Sequence, residues 1–176
     1  IRDRYKTLML KIYQQTIKNP ITFKGVGLHS GRESEIKLIP SESKGIVFKR
    51  IDLKKNNIIP ANYKNVTSAR LCTTLENEFG IKVSTVEHLL AALYISEIDN
   101  LIIEVNGEEI PIMDGSAKEF LDILEKTEIK ILSRKRNYLK VLNKIELKDG
   151  KRSISIEPSE HSFEVEFKLN YKNSII

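Results

Sequence analysis

The sequence is poor in the features that most quickly place a protein in a class. One cysteine, Cys72, stands alone in 176 residues, so no internal disulfide can form and a reducing, cytoplasmic setting is expected. No apolar run approaches the ~20 residues that span a bilayer, and no signal-peptide pattern precedes the first expected strand. There is no H-E-x-x-H metal helix. The glycines of Gly25-Val26-Gly27-Leu28-His29-Ser30-Gly31 are not spaced as G-x-G-x-x-G, which excludes a dinucleotide fingerprint. A net charge of +5 suits a polyanionic partner. However, the one dense basic cluster, Arg134-Lys135-Arg136, has no aromatic residues interleaved for base stacking. It reads as part of a solvated linker, and no nucleic-acid partner is expected. What remains is ordinary: 40% hydrophobic and 30% charged residues, enough for a real core in one domain or two small ones.

The most organised stretch is Ser84–Leu93. Ser84 with Glu87 three places on is the S-x-x-E capping box and predicts a helix start. Val86, Leu89, Leu90 and Leu93 repeat at i, i+3, i+4 and i+7 and form one apolar stripe. The opposite side carries His88, Ala91, Ala92 and Ile95 and no charge. A helix apolar all round is normally covered on both faces. Pattern alone leaves two readings open. Glu87 is either a capping carboxylate or a reactive one, and His88 either a hydrogen-bonded core histidine or a ligand.

Upstream, Gln15–Phe23 reads as a strand broken at Asn19-Pro20. Ile36–Leu38 and Ile46–Phe48 read as two more, joined by the polar loop 41–44, and Arg70–Leu75 as a short strand entering the site. Downstream, Leu101–Val105 and Glu109–Ile112 flank Asn106-Gly107, a hairpin signal. Asp114-Gly115 turns the chain, and Ser116 with Glu119 makes a second capping box ahead of Ala117, Phe120, Leu121 and Leu124. Ser133–Asn137 reads as a linker.

A repeat follows. Ile36-Lys37-Leu38-Ile39-Pro40-Ser41-Glu42 is matched by Ile154-Ser155-Ile156-Glu157-Pro158-Ser159-Glu160. Lys148-Asp149-Gly150 is a hairpin turn, and Phe163–Phe167 an expected strand. In the first unit 44 positions separate Pro40 from Ser84, and the same interval from Pro158 reaches 202, past the end of the chain. The second unit is therefore expected to lack its helices, the natural cover for the His88 face. The ends suggest truncation too: Ile1 is not an initiator, Met9 is a candidate start after an extension Ile1–Leu8, and Asn173–Ile176 follows an apparent strand directly.

Six stretches, in order and in register, resemble one family. They are Gly25–Gly31, Gly45–Leu53, Leu71–Leu75, Ser84–Leu90, Ile98-Asp99-Asn100 and Ile110-Pro111-Ile112-Met113-Asp114-Gly115-Ser116-Ala117. Together they resemble the zinc-dependent UDP-3-O-acyl-N-acetylglucosamine deacetylases of lipid A biosynthesis, over that family's first domain and the opening strands of its second. The resemblance implies hydrolysis of an acetamide. Zinc with three protein ligands and an open position lowers the pKa of bound water towards ~7, and a neighbouring carboxylate takes the proton as general base. It also implies Glu87 as that base and His88 as one zinc ligand. The other two ligands, a His and an Asp four apart, are implied on a second-domain helix, and the general acid as another second-domain His. By the same resemblance His29 lies near the active-site mouth, and Leu71, Cys72 and Thr73 flank the zinc and the acyl passage, as substrate-binding residues. Nothing in the chain replaces the missing ligands. His161 has Val165 four places on, and Gly31 separates His29 from Glu33.

The expected fold is α+β: two tandem two-layer units, each a small sheet with helices on one face, the second truncated. The expected domains are 13–132, carrying the Glu-His helix, and 138–176. The expected function is zinc-dependent deacetylation of a UDP-linked acylated glucosamine, with Zn²⁺ completed by a complementing C-terminal half. Two alternatives stand beside it: a non-catalytic remnant or nucleotide-sugar-binding module lacking a complete zinc site, and a basic nucleic-acid-binding domain. Asp114-Gly115-Ser116 is expected to be a turn plus helix cap.

Overall fold

The computed structural model describes residues 12–43, 45–160 and 163–169. The expectations for Ile1–Leu8, Met9, Lys44, His161 and Asn173–Ile176 lie outside the described residues. Among the described residues, twelve strands and two α-helices follow in order, with a 3-10 turn at Tyr63–Asn65. They are β1 (Tyr13–Ile17), β2 (Ile21–Val26), β3 (Glu33–Pro40), β4 (Ile46–Arg50), β5 (Ile58–Pro60), β6 (Val66–Ser68), β7 (Thr74–Glu76), β8 (Lys82–Val83), α1 (Glu87–Ile95), β9 (Leu101–Val105), α2 (Lys118–Leu124), β10 (Ile129–Lys135), β11 (Ile145–Asp149) and β12 (Arg152–Ile156). The chain divides into two compact units, Ile1–Arg136 and Asn137–Ile176.

In the first unit, alternation makes the main sheet. Ile36 and Leu38 of β3 and Leu101, Ile103 and Val105 of β9 are all fully buried, while the residues between them, such as Lys37 opposite Glu104, face the other way. The sheet runs β2-β3-β9-β4-β5, with β9 antiparallel to β3 and parallel to β4. On its polar face Lys49 meets Glu104 at 2.8 Å. Its apolar residues share one cluster with Leu89, Ala92 and Leu93 of α1 and Phe120 and Leu124 of α2. Each such side chain removed from water stabilises the fold by about 1.5–3 kcal/mol. Phe120 also meets Phe23 edge-on, with ring centroids 5.8 Å apart. The result is a two-layer α+β unit. The break at Asn19-Pro20 is real: β2 stays in the main sheet, while β1 pairs with β10. A second, three-stranded sheet, β6-β7-β8, leads into α1.

Four expectations are corrected. Asn106-Gly107 makes no hairpin. Both edges of β9 are already occupied by β3 and β4, so a returning strand has nowhere to pair, and Asn106 Oδ1 instead accepts the Glu35 N–H at 2.8 Å. Ser133–Asn137 is not a linker throughout. Ser133–Lys135 belongs to β10, with Lys135 opposite Tyr13, and the Arg136 guanidinium closes on Asp99 at 2.7–2.8 Å. The short strand expected over Arg70–Leu75 begins only at Thr74. Phe163–Phe167 has strand periodicity but forms no strand, since period alone supplies no ladder.

The second unit, described by itself, contains a hairpin of β11 and β12 with Asp149 opposite Arg152. Gly150 takes the turn at φ 57°, a conformation that glycine adopts freely. The repeated segments occupy like places, since β3 is the second strand of the β2–β3 hairpin and β12 the second of β11–β12.

Candidate active site

The site is built where β8 hands over to α1. Ser84 leaves β8 and pairs in parallel with Glu109. Its N–H donates to the Glu108 carbonyl at 2.8 Å, and its own carbonyl accepts the Ile110 N–H at 3.0 Å. Thr85 then sits at φ 58°, a left-handed conformation that is strained for a β-branched residue. Val86 follows at helical angles and is fully buried.

This ladder removes the expected capping box. The Ser84 N–H that Glu87 would have satisfied is already taken by Glu108, and no side chain caps α1. The Ser84 hydroxyl donates to the same Glu108 carbonyl at 3.1 Å. The second box is half formed. Ser116 Oγ accepts the Lys118 N–H at 3.0 Å, but the Ser116 N–H goes to Asp114 Oδ1 rather than to Glu119. Asp114 is therefore a turn residue, and its bonds from the Ser116 hydroxyl and N–H hold its carboxyl below the usual value.

Released from capping, the Glu87 carboxylate meets a different donor. Oε2 accepts the Thr73 N–H at 3.1 Å; Oε1 has no hydrogen bond among the described residues. Thr73 is docked on α1 by its backbone, its carbonyl also lying 3.5 Å from the Val86 nitrogen. Of its neighbours, Leu71 is 85% exposed at φ 69°, and Cys72 is half-buried with Sγ 3.8 Å from Thr74 Oγ1. So Thr73 and Glu87 are in contact, while the Leu71 side chain points into solvent.

His88 is half-buried, and its Nδ1 is buried without a hydrogen-bond partner among the described residues. A satisfied core histidine would not leave that atom orphaned. Along the same side, Ala91 is exposed and Ile95 is 61% exposed, whereas Ala92 is buried in the core. The uncharged face is thus exposed at Ala91 and Ile95, half-covered at His88 and closed at Ala92. His88 can give one ligand. Among the described residues no three His, Cys, Asp or Glu side chains converge to hold a metal, so these residues do not by themselves fit a zinc ion, which takes three or four.

Two residues that sequence reasoning passed over hold this geometry. Glu109, 5% exposed, accepts the His29 N–H at 2.9 Å, the Ser30 N–H at 2.8 Å and the Thr85 hydroxyl at 3.1 Å. Burial acts to raise its pKa, but bonds from His29, Ser30 and Thr85 outweigh it and keep the carboxyl below its usual value. His29 is therefore tied to the start of α1 through its backbone, with its side chain in an exposed turn. Gly27 is required by proximity: a Cβ there would collide with the Glu109 carboxylate and the Ser30 hydroxyl. Arg50, within one of the six stretches, spreads a buried guanidinium over Asp52 at 2.6 and 2.8 Å, the Lys82 carbonyl at 2.8 Å and Glu108 at 3.4 Å. The Glu109 signal in the sequence is only a carboxylate beside an apolar run, and nothing local ties it to the Gly25–Gly31 turn. Arg50-Ile51-Asp52 offers an i, i+2 charge pair. Asp99 and Asn100 are structural: Asp99 holds Arg136 and the Gln15 N–H, and Asn100 the Gly45 N–H.

Two open surface hollows of about 450 and 440 Å³ are lined by residues such as Asn57, Asn77 and Phe79, and Phe23, Ile123 and Lys126. Neither includes any residue of α1 or of Leu71–Thr73. No helix among the described residues is long and apolar enough to cross a membrane.

The sequence profile described as UDP-3-O-acyl N-acetylglycosamine deacetylase matches residues 14–176. Among curated relatives, the UDP-3-O-acyl-N-acetylglucosamine deacetylase of Geotalea uraniireducens is 42% identical over 165 residues, covering 93% of this chain and 53% of the relative. That of Syntrophotalea carbinolica is 40% identical over 166 residues, covering 94% and 53%. That of Pseudoalteromonas atlantica is 39% identical over 166 residues, covering 94% and 54%. The chain spans about half the length of the curated relatives it matches.

Proposed function

The chain belongs to the UDP-3-O-acyl N-acetylglycosamine deacetylase family, and on that premise we propose that the start of α1 is one side of a deacetylase active site. The reaction is hydrolysis of the acetamide of a UDP-linked acylated glucosamine to the free amine and acetate, a step towards lipid A. Glu87 is the general base. Its Oε1 takes a proton from the attacking water, while Oε2 stays fixed by the Thr73 N–H. His88 would give one bond to a zinc ion through either ring nitrogen, the zinc would polarise the attacking water, and its other ligands would lie outside the described residues. His29, Leu71, Cys72 and Thr73 line the approach of the substrate. A cytoplasmic setting and a complementing second half belong to the same proposal.

The observation that carries this reading is the freedom of the Glu87 carboxylate. A cap would spend it on the Ser84 N–H, which the Glu108 carbonyl has already taken. The test is Glu87→Gln in the full-length protein, formed by this chain with the half that its relatives carry beyond the match. Gln still accepts the Thr73 N–H but cannot accept a proton. The expected outcome is an unchanged fold and a rate lowered by roughly 10²–10⁴-fold. A Glu87→Gln protein that keeps most of its deacetylase rate would place the base elsewhere.

A further inference from the structure

We propose that Glu109 is a positioning residue for the deacetylation reaction: its buried carboxylate clasps Thr85 and the His29-Ser30 turn, and so sets where Glu87 and His88 stand. This rests on the reading of Glu87 as base and His88 as ligand.

The geometry is specific. A buried carboxylate is costly unless donors surround it, and every donor to Glu109 comes from the two segments that flank the site. The backbone N–H groups of His29 and Ser30 bind from one side, and the Thr85 hydroxyl binds from the other. Each bond is charge-assisted, roughly twice as strong as a neutral one. Thr85 is the point where the chain turns from the Ser84 ladder into α1, and it does so at φ 58°, which its β-branched side chain disfavours. The bond from its hydroxyl to Glu109 Oε1 favours that rotation over the ordinary ones. Glu87 is two residues further on, so a relaxed Thr85 re-aims both Glu87 and His88. Gly27 completes the arrangement by leaving room for the carboxylate.

The experiment is a set of variants of the full-length protein, assayed for kcat and KM well below the thermal midpoint, with Glu87→Gln in parallel. Glu109→Gln keeps one acceptor oxygen but loses the charge and one of the two oxygens that hold the donors. Its kcat should fall by about tenfold or more, since misplacing a reacting group by ~1 Å costs on the order of 10²-fold. KM should stay within about twofold, because binding of the ground state is not what is lost. The decisive arm is Thr85→Gly. Glycine adopts φ 58° at no steric cost, so a clasp is no longer needed there. In that background the added loss from Glu109→Gln should shrink to under about threefold, where a merely structural carboxylate would cost the same in both. An unchanged kcat in Glu109→Gln, or an equal loss in the two backgrounds, overturns the proposal. Should Glu109→Gln fail to fold, Thr85→Val carries the test, since it removes only the hydroxyl, and full kcat in Thr85→Val overturns the clasp. A Glu87→Gln enzyme at full rate sinks the reading of the base and the positioning role with it. A dead Glu87→Gln beside a fully active Glu109→Gln sinks the positioning role alone.

Discussion

Replacing Arg50 by methionine tests whether the approach to α1 depends on one buried guanidinium. The Arg50 side chain is 5% exposed, and it gives two bonds to Asp52, one to the Lys82 carbonyl and a longer one to Glu108. Methionine restores most of the apolar volume but none of these donors. The partners lose unequally. The Asp52 side chain is 32% exposed and that of Glu108 76%, so water replaces much of what they had, and their loss together comes to about 1 kcal/mol. The Lys82 carbonyl loses its buried donor, a cost of about 1–3 kcal/mol. The total is about 3 kcal/mol, the low end of the ~3–5 kcal/mol seen when one partner of a buried ion pair is removed. Urea unfolding followed by far-ultraviolet circular dichroism should show the midpoint falling by about 1–3 M at an unchanged slope, given slopes of about 1–3 kcal/mol per molar. Arg50→Lys keeps the charge but not the fork, and should fall between the two. A loss below about 1 kcal/mol in Arg50→Met would refute the reasoning. The Lys82 carbonyl and the Glu108 loop would then be held by packing alone.

Two further outcomes follow from the same loop. Ser84→Ala should cost less than ~0.5 kcal/mol, against the ~1 kcal/mol of a true cap, because the Ser84 N–H keeps its bond to Glu108; a cost of 1 kcal/mol or more in thermal unfolding would reinstate the capping box. At Glu109 burial is outweighed by the bonds from His29, Ser30 and Thr85, and at Asp52 the bond from Arg50 outweighs burial, so both carboxyls lie below the ordinary carboxylate value in the fold and the unfolded chain binds their protons more readily. Their contribution is complete above their unfolded values and is lost as pH falls through the lower folded ones. Thermal midpoints measured from pH 6 downwards should therefore drop in the acid range, and Glu109→Gln should drop less steeply than the parent; parallel curves would contradict the direction assigned to Glu109.

What could be read from the sequence is what local pattern controls. The period-two runs at Ile36–Leu38 and Leu101–Val105 became strands because each has one face to bury. The i, i+3, i+4, i+7 stripe of Leu89, Leu90 and Leu93 became a helix against that face. Gly150 made its hairpin because β11 and β12 had free edges to offer each other. Asn106-Gly107 carried at least as strong a turn signal and failed, because β9 ends as a central strand and a dipeptide cannot report that. Arg134-Lys135-Arg136 misled for a related reason. Solvated charge is the usual reading of such a run, but Arg136 finds Asp99, 37 positions away, and β10 finds β1. The site residues named from the family motifs lie at the start of α1, in the segment docked on it and in the turn tied to it. Their supports, Glu109 and Arg50, act across 80 and 32 residues of sequence, and no local window contains both ends of those bonds.

The two adjacent glutamates, Glu108 and Glu109, explain why a third one, Glu87, is not spent on capping. A helix start needs its first N–H groups satisfied, and Glu87, placed three after a serine, is the residue that local rules would assign to that work. Here the work is done from outside the helix. The Glu108 carbonyl takes the Ser84 N–H and hydroxyl, and Arg50 reaches both the Lys82 carbonyl just before and the Glu108 side chain. The Glu109 carboxylate takes the Thr85 hydroxyl and anchors the His29 turn to the same corner. Among the described residues Glu87 is then held by the Thr73 N–H alone, through one oxygen. One oxygen is thus fixed and the other unspent, which is the orientation the proposed general base needs. Nδ1 of His88, the next residue, likewise has no hydrogen-bond partner among the described residues, so this corner takes its bonds from Glu108 and Glu109 and leaves Glu87 Oε1 and His88 Nδ1 unspent, as the proposed chemistry requires.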